Sequence, residues 1–120
     1  MTVAEYLADK KPEAVELFHR FAALVEACGP SEVVPRKSIV YWKRDRIWAG
    51  AFCNGKKLEL NIDLLREVDH PRNLAVIPHT KRVLTHRMRI TELDQLDDSI
   101  ATLLRESYME VGPGTRKPGR

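Results

Sequence analysis

The sequence predicts an α+β fold, in which an antiparallel sheet of about four to six strands carries N-terminal and C-terminal helices on one face of a two-layer sandwich. Three observations lead to this prediction. Apolar residues recur at helical spacing near both ends of the chain. Between residues 38 and 90 they alternate with polar residues at a period of two, which is typical of strands. Capping and turn residues separate the two kinds of segment.

Two helices are predicted before the first strand. Thr2-Val3-Ala4-Glu5 has the pattern of a capping box and predicts a short helix over residues 3–9. Pro12 suits the first turn of a second helix over residues 13–28, whose apolar side chains share one broad face. Gly29-Pro30 predicts its end, because glycine accepts a left-handed cap and proline cannot continue the helix.

Three strands of a meander follow the helices. Residues 38–43 and 46–53 are rich in β-branched and aromatic side chains and predict a hairpin with a tight turn at residues 43–46. Asn54-Gly55 is a strong hairpin signal. It leads into residues 57–62, where apolar and polar side chains alternate.

The C-terminal elements are predicted from shorter patterns. Residues 63–68 are compatible with a short helix, and residues 74–78 with either a short strand or a loop. Residues 81–90 alternate again and predict another strand. The last helix is predicted from a second capping box, three aspartates near its start and a glycine-rich end: Thr91-Glu92-Leu93-Asp94, then Asp94, Asp97 and Asp98, then Gly112-Pro113-Gly114.

A chain of 120 residues fits one domain, which we predict over residues 1–112, followed by a basic and disordered tail at residues 113–120. No apolar run approaches the roughly 20 residues of a membrane span. The first ten residues lack the apolar core of a signal peptide. Cys28 and Cys53 have no CxxC partner, so we expect two reduced, mostly buried thiols. These observations predict a soluble cytoplasmic protein without a membrane partner, either a monomer or a homodimer.

The middle of the chain is basic and both ends are acidic. Residues 36–90 contain 13 Lys and Arg against 5 Asp and Glu, a net charge of +8, whereas residues 1–35 carry −3 and residues 91–120 carry −2. Because the middle predicts a sheet and the ends predict helices, this segregation has two interpretations. One is an anion-binding face on the sheet, and the other is internal charge pairing between sheet and helices.

Several short segments, spread along the chain, form an ordered set that carries a family resemblance. They are Thr2-Val3-Ala4-Glu5-Tyr6-Leu7, Lys37-Ser38-Ile39, Asp69-His70-Pro71-Arg72, His86, Leu96-Asp97-Asp98, Arg105-Glu106-Ser107-Tyr108 and Val111-Gly112. Together they resemble the bacterial domain-of-unknown-function family numbered 5655. The resemblance covers nearly the whole chain up to Gly112.

The resemblance implies a fold more than an activity. The family has no established activity, and the transport label sometimes attached to it fits poorly with a chain that has no predicted membrane span. Related small bacterial domains are similar to frataxin-like or YdhG-like α+β sandwiches, which implies the same architecture as the periodicity does. Ser107 stands where the family pattern implies alanine, and we interpret it as a conservative packing change.

His86 is the strongest single candidate for a ligand site. It shares a predicted strand face with apolar residues such as Leu84 and Met88, so its ring needs a hydrogen-bond partner. One interpretation is a buried structural histidine. The other is a ligand pocket in which His86 acts with Lys37 and Arg72, both of which suit an anionic group.

Aromatic and basic side chains interleave around the first predicted hairpin. On a sheet, such a pattern can stack bases while the charges follow the phosphates. Alternatively, one aromatic face of this hairpin is core, because Tyr41 shares a face with Ile39 and Trp42 shares one with Val40. The predicted nucleic-acid contacts are Lys43, Arg44, Arg46, Trp48, Arg87 and Arg89.

We therefore predict a non-enzymatic binding module whose basic sheet face meets an anionic partner, with nucleic acid as one candidate. Two alternatives stay open. One is a frataxin-like domain that handles a small ligand or metal, for which Glu13, Glu16 and Glu26 offer a sparse acidic ridge. The other is an enzyme with a pocket around His86. Since no nucleophile context, phosphate loop or metal motif is recognisable, no catalytic residue, metal ligand or cofactor is predicted.

Overall fold

Six strands form one antiparallel sheet, with two α-helices before it in sequence and one after it. The computed structural model describes residues 1–115, and its elements are α1 (Val3–Leu7), α2 (Pro12–Glu26), β1 (Glu32–Pro35), β2 (Val40–Lys43), β3 (Ile47–Asn54), β4 (Lys57–Leu64), β5 (Asn73–Pro78), β6 (Leu84–Ile90) and α3 (Asp98–Glu110). The strand order across the sheet is β1-β2-β3-β4-β6-β5. This architecture confirms the predicted α+β sandwich.

Local sequence signals set the helix starts and the sharpest turn as predicted. At α1, the Thr2 hydroxyl accepts from the Glu5 amide at 3.1 Å, and the Glu5 carboxylate accepts from the Thr2 amide at 2.9 Å. The backbone bond from Thr2 holds the pKa of Glu5 below its usual value. Helix α2 begins at Pro12. Gly55 has a φ of 59°, the left-handed conformation that an Asn-Gly turn requires between β3 and β4.

Alternation in the central strands separates the two faces of the sheet. One face, which we call the covered face, packs against α2 and α3 and forms the hydrophobic core. The opposite face is called the open face. Each large apolar side chain buried on the covered face contributes about 1.5–3 kcal/mol to folding. In β4 and β6 the fully buried apolar residues of the covered face are Leu58, Leu60, Ile62, Leu64, Met88 and Ile90.

A β-bulge interrupts this alternation in β3. Trp42 pairs with Ala49 and Lys43 pairs with Ile47, so Trp48 is an extra residue in its strand. Bulges redirect side chains in this way. The Trp48 ring is fully buried on the covered face, where its centroid lies 5.2 Å from that of Tyr108 in α3. Its indole nitrogen donates to the Ser31 hydroxyl at 3.0 Å.

In the strand region, one predicted helix is wrong, one open alternative is decided and one strand was not predicted. The helix predicted at residues 63–68 is wrong, because β4 continues to Leu64, which pairs with Leu84 and is fully buried. The ambiguous segment at residues 74–78 is a strand, β5. Strand β1 was not predicted, since it is short and ends at a proline. Proline is tolerated there because β1 is an edge strand.

The start of the last helix also differs from the prediction. A reciprocal capping pair joins Glu92 and Gln95 around a short 3₁₀ helix (Leu93–Gln95), rather than joining Thr91 and Asp94. Helix α3 starts after Asp97, whose carboxylate accepts from the Ser99 and Ile100 amides. The hydrogen bond from the Ser99 side chain is the largest of the effects that hold the pKa of Asp97 below its usual value.

Both cysteines are free and half-buried. Burial raises the pKa of both the Cys28 and the Cys53 thiols, so the neutral thiol is favoured at each. A search of residues 1–115 finds no helix with the length and apolarity needed to cross a membrane. Residues 116–120 of the predicted tail lie outside the described part of the chain.

Candidate functional site

A row of side chains crosses the open face from one strand to the next. Tyr41 of β2 pairs with Gly50 of β3, Gly50 pairs with Asn61 of β4, and Asn61 pairs with Arg87 of β6. Ala75 of β5 completes the row. Because Gly50 has no side chain, the open face has a depression in the middle of this row. The larger Tyr41 and Arg87 stand on either side of the depression.

This depression is part of a cavity of about 330 Å³. The volume lies near the lower end of the range typical of ligand pockets. A side chain at Gly50 would crowd the cavity wall, since a Cβ there would lie 3.0 Å from a Tyr41 ring carbon. The lining residues come from five strands, the β2–β3 turn and the β5–β6 loop: Tyr41, Arg46, Ile47, Ala49, Gly50, Asn61, Asp63, Ile77, His79, Thr85 and Arg87.

Asp63 is the buried charged group of the cavity, with 6% of its surface exposed. One carboxylate oxygen accepts from the Arg46 guanidinium at 3.0 Å, and the other accepts from the Thr85 hydroxyl at 2.7 Å. Burial nevertheless raises the pKa of the Asp63 carboxyl, because lost hydration outweighs the contacts from Thr85 and Arg46. Both carboxylate oxygens of Asp63 are thus hydrogen-bonded, and the ion pair holds the Arg46 side chain in place.

The C-terminus of α3 positions the turn that carries Arg46. The Gly112 carbonyl accepts from the Asp45 and Arg46 amides at 2.9 and 3.1 Å. Arg44 donates to the Tyr108 carbonyl at 2.8 Å, and its guanidinium carbon lies 4.1 Å from the centroid of the Tyr108 ring. Only glycine fits at Gly112, because a Cβ there would lie 2.7 Å from the Tyr108 carbonyl oxygen. The helix end therefore fixes the β2–β3 turn.

Ser107 connects α3 to the strands beneath the cavity. Its fully buried hydroxyl lies 2.8 Å from the Trp48 carbonyl and 2.5 Å from the Asp63 carbonyl. The serine is therefore more than a packing change from alanine, since it supplies a hydrogen bond to the backbone of β3 or β4. It supports the backbone of Asp63 from the covered side of the sheet.

Arg87 and Asn61 have unused hydrogen-bonding capacity. Among residues 1–115, no hydrogen bond is made by the side chain of either residue, and Nε of Arg87 and Oδ1 of Asn61 are shielded from solvent. The guanidinium carbon of Arg87 lies 5.8 Å from the centroid of the Phe52 ring. Nε of Arg89 is likewise shielded without a partner, but Nη2 of Arg89 lies 3.4 Å from the Glu59 carboxylate. Shielded polar atoms without partners typically cost about 1–3 kcal/mol, so Arg87 and Asn61 form the incomplete part of the face.

Ion pairs account for part of the charge segregation. The exposed pairs among them contribute at most about 1 kcal/mol each. Two of them join the basic middle segment to the acidic helices, and two lie within the segment: Lys56–Glu13, Arg66–Glu106, Arg46–Asp63 and Arg89–Glu59. Internal charge pairing therefore explains part of the charge segregation, and Arg87 takes part in none of these four pairs.

The predicted ligand set of Lys37, Arg72 and His86 does not converge. Lys37 lies exposed between β1 and β2 at one edge of the sheet, and Arg72 precedes β5 at the other edge. His86 is fully buried on the covered face. Its Nε2 accepts from the Val68 amide at 2.9 Å, which leaves the ring proton on Nδ1 to donate to the Leu84 carbonyl at 3.1 Å. The geometry is that of a structural histidine.

The predicted nucleic-acid residues separate into two groups. Lys43, Arg46, Arg87 and Arg89 share the open face, with Lys43 exposed at the end of β2. The other two are used elsewhere in the fold. Arg44 is bound to the end of α3, and Trp48 lies in the core. An aromatic side chain that does reach the cavity is Tyr41.

Asn61 and Asp63 were not recognised as site residues from the sequence. The period of two in β4 already placed Asn61 opposite Leu60 and Ile62, which was a usable signal. Asp63 was assigned to a helix start instead. Thr85 and His79 join the site only through the pairing of β4 with β6 and the course of the following loop.

A second polar cluster lies outside the cavity, at the start of α3. Arg72 donates its amide hydrogen to Nδ1 of His70 at 3.0 Å, so the ring proton lies on Nε2, which is 2.8 Å from the Ser99 hydroxyl. That hydroxyl donates to Asp97 at 2.6 Å. In a serine nucleophile the histidine would accept the hydroxyl proton, which is the opposite direction. This cluster caps the helix. No group of three or more metal-ligating side chains is found within the described residues.

Comparison with protein families matches residues 3–110 to the family described as "Domain of unknown function (DUF5655)". Comparison with curated proteins gives no match, and neither does comparison with solved structures. The family match covers the helices and all six strands, including every residue that lines the cavity. The chain therefore belongs to the DUF5655 family, as the resemblance of its short segments predicted.

Proposed function

We propose that this chain is a binding module that holds an anionic group of a small molecule in the cavity of the open face. The observation that carries the proposal is the Arg87 guanidinium, which makes no hydrogen bond within residues 1–115 and lies at the cavity wall beside Asn61, whose Oδ1 also lacks a partner there. An anion would supply the acceptors that Arg87 lacks. Charge-assisted hydrogen bonds of this kind are the strong ones.

The charge of the cavity supports an anion. Arg46 and Arg87 contribute two positive charges, and Asp63 contributes one negative charge. Because Arg46 is bound to Asp63, the free positive charge is that of Arg87. The low-dielectric surroundings strengthen its attraction for an anion relative to the same pair in water.

The side chains of the cavity fit binding better than catalysis. The two hydroxyl groups among the lining residues are those of Thr85 and Tyr41. Thr85 donates its proton to Asp63, whose second oxygen is bound to Arg46. Asp63 is therefore not free to activate a nucleophile, and within residues 1–115 the lining histidine, His79, makes no hydrogen bond to either hydroxyl. A non-enzymatic role is therefore the simpler proposal.

Nucleic acid is the second candidate partner. Four of the six predicted contacts share the open face, which favours it. However, Glu59 and Asp63 offset two of the arginines, and the buried Trp48 is not presented for base stacking. Contacts of Lys43, Arg87 and Arg89 with the phosphates would give weak binding that depends strongly on the salt concentration.

The test is NMR titration of the ¹⁵N-labelled full chain with sodium benzoate, inorganic phosphate and oligo(dT) at low salt. We expect shifts of the amide resonances around Gly50, Asn61 and Arg87 with at least one of the small anions. Arg87→Gln should weaken that binding by about tenfold or more, the scale of one charge-assisted contact.

The matched control is Arg20→Gln, which removes an exposed arginine from α2 on the other side of the sheet. It should leave the affinity unchanged. Shifts confined to oligo(dT) would favour the second candidate. If no probe shifted the open-face resonances, or if both variants behaved alike, the proposal would be wrong.

A further inference from the structure

Resting on the proposed function, we infer that the ligand of the open-face cavity is a small monoanionic carboxylate with a planar, largely apolar body, rather than a phosphate ester or a nucleotide. Four features of the cavity lead to this ligand class: its net charge, its volume, its apolar walls and the geometry of its free cation.

The net charge favours a single negative charge on the ligand. The lining residues include two guanidinium groups and one carboxylate, so one anionic charge neutralises the cavity. A dianion would leave one negative charge without a compensating cation, close to the buried Asp63 carboxylate. Like charges at short range in a poorly hydrated site repel strongly.

The volume favours a small ligand. A cavity of about 330 Å³, filled at the packing density of protein interiors, holds on the order of ten to fifteen non-hydrogen atoms. A substituted aromatic acid is of this size. A nucleotide, with its base, sugar and phosphate, is larger than the cavity.

The walls favour a flat and apolar body. Tyr41, Ile47 and Ile77 contribute apolar surface to the lining. Ile77 is 42% exposed, and a ligand in the cavity would cover part of its surface. Gly50 keeps the floor low, so that a ring could approach the backbone of β3 closely. Glycine inside a strand often marks such an approach.

The free cation favours a carboxylate. The guanidinium group is a planar fork that can bind both oxygens of a carboxylate at once. Because Nε of Arg87 is shielded in the present conformation, we expect the side chain to turn toward the ligand and expose its Nε edge. The neighbouring Asn61 could then donate to the carboxylate through its amide nitrogen.

The test compares four probes against the full chain by NMR titration: benzoate, its neutral isostere benzamide, phenyl phosphate and adenosine monophosphate. Phenyl phosphate is largely a dianion above pH 7, since the second pKa of a phosphate ester is about 6. We expect benzoate to bind in the cavity at least about tenfold more tightly than each of the other three, the scale of one charge-assisted contact.

Two variants locate the effect. Arg87→Lys keeps the charge but removes the planar fork, and it should lower the affinity for benzoate toward that for benzamide. Arg20→Lys is the matched control on α2 and should change nothing. The amide spectrum of each variant shows directly whether it has folded.

The outcomes separate this inference from the proposed function. If phenyl phosphate or adenosine monophosphate binds in the cavity as tightly as benzoate, the carboxylate inference is wrong and the anion-binding function stands. If benzamide binds as tightly as benzoate, or if none of the four probes shifts the open-face resonances, both are wrong.

Discussion

His86 and Arg87 are adjacent in β6, but their side chains lie on opposite faces of the sheet and differ in their hydrogen bonding. On the covered face, both ring nitrogens of His86 are hydrogen-bonded and none of its surface is exposed. On the open face, the Arg87 side chain has no hydrogen-bond partner within residues 1–115. Polar groups in a packed core must be satisfied by the protein itself. At this pair of positions, the unused hydrogen-bonding capacity lies on the face that can receive a ligand.

The largest expected effect comes from Trp48, the one aromatic residue that the sequence pattern assigned to nucleic-acid stacking. Because Trp48 is fully buried against Tyr108, Trp48→Ala should lower the free energy of unfolding by about 3–5 kcal/mol. Urea denaturation followed by circular dichroism measures this loss.

The open-face counterpart is Tyr41→Ala, which removes a half-buried ring from the cavity wall. It should cost less than half as much stability as Trp48→Ala. Equal losses would break the distinction between the faces, because they would mean that the open face is packed as tightly as the core.

The second-largest effect on stability is expected at His86 and Arg87, the adjacent pair in β6, when each is replaced by leucine. His86→Leu leaves the Val68 amide and the Leu84 carbonyl without their side-chain partner in a buried region, which should cost about 2 kcal/mol or more. Arg87→Leu removes no hydrogen bond to a described residue and also removes the shielded Nε that lacks a partner, so the free energy of unfolding should not fall.

Urea denaturation of the two variants under identical conditions gives both values. A larger loss at Arg87 than at His86 would contradict the comparison. It would show that the Arg87 guanidinium stabilises the fold, and that its function is structural.

The smallest effect concerns the pH dependence of stability through Asp63. Because folding raises the pKa of this carboxyl, the folded state binds the proton more tightly than the unfolded chain does. The contribution of Asp63 to stability therefore falls as the pH rises from the ordinary value of 3.8 through the raised folded pKa. Relative to an Asp63→Asn variant, the wild-type free energy of unfolding should decline over this interval.

Urea denaturation at several pH values in this interval measures the difference between the two proteins. If the free energy of unfolding of the wild type, relative to that of Asp63→Asn, rose with pH, the predicted direction would be wrong. Such a rise would mean that the contacts with Arg46 and Thr85 outweigh the lost hydration, and that the cavity is wetter than its burial implies.

The sequence predicted most of the fold because the signals were local and repeated. The alternation in residues 57–62 predicted the covered face of β4, and by exclusion it placed Asn61 on the opposite side. The predicted strand stopped too early, just before Asp63, because an aspartate followed by apolar residues also resembles a helix start. Pairing with β6, which extends the strand to Leu64, overrode that local preference.

The site was predicted less well than the fold. His86 was identified as a residue in need of a partner, and the structure supplies that partner from the Val68 backbone rather than from a ligand. Trp48 was assigned to the wrong face because a bulge adds one residue to β3. A register change of one residue exchanges the two faces of a strand, and nothing in the local sequence marks it.

The sequence by itself determined the α+β class, the helix caps, the Asn-Gly turn and the concentration of positive charge in the strands. Each of these follows from residues that are close together in the chain, whose conformational preferences act locally. Only the tertiary structure decided which charges remain unpaired. Arg46 meets Asp63 across two strands, and Arg89 meets Glu59 through the pairing of β4 with β6. Arg87 is left without a carboxylate because its neighbours across the sheet are Asn61 and Ala75, a consequence of strand order and register.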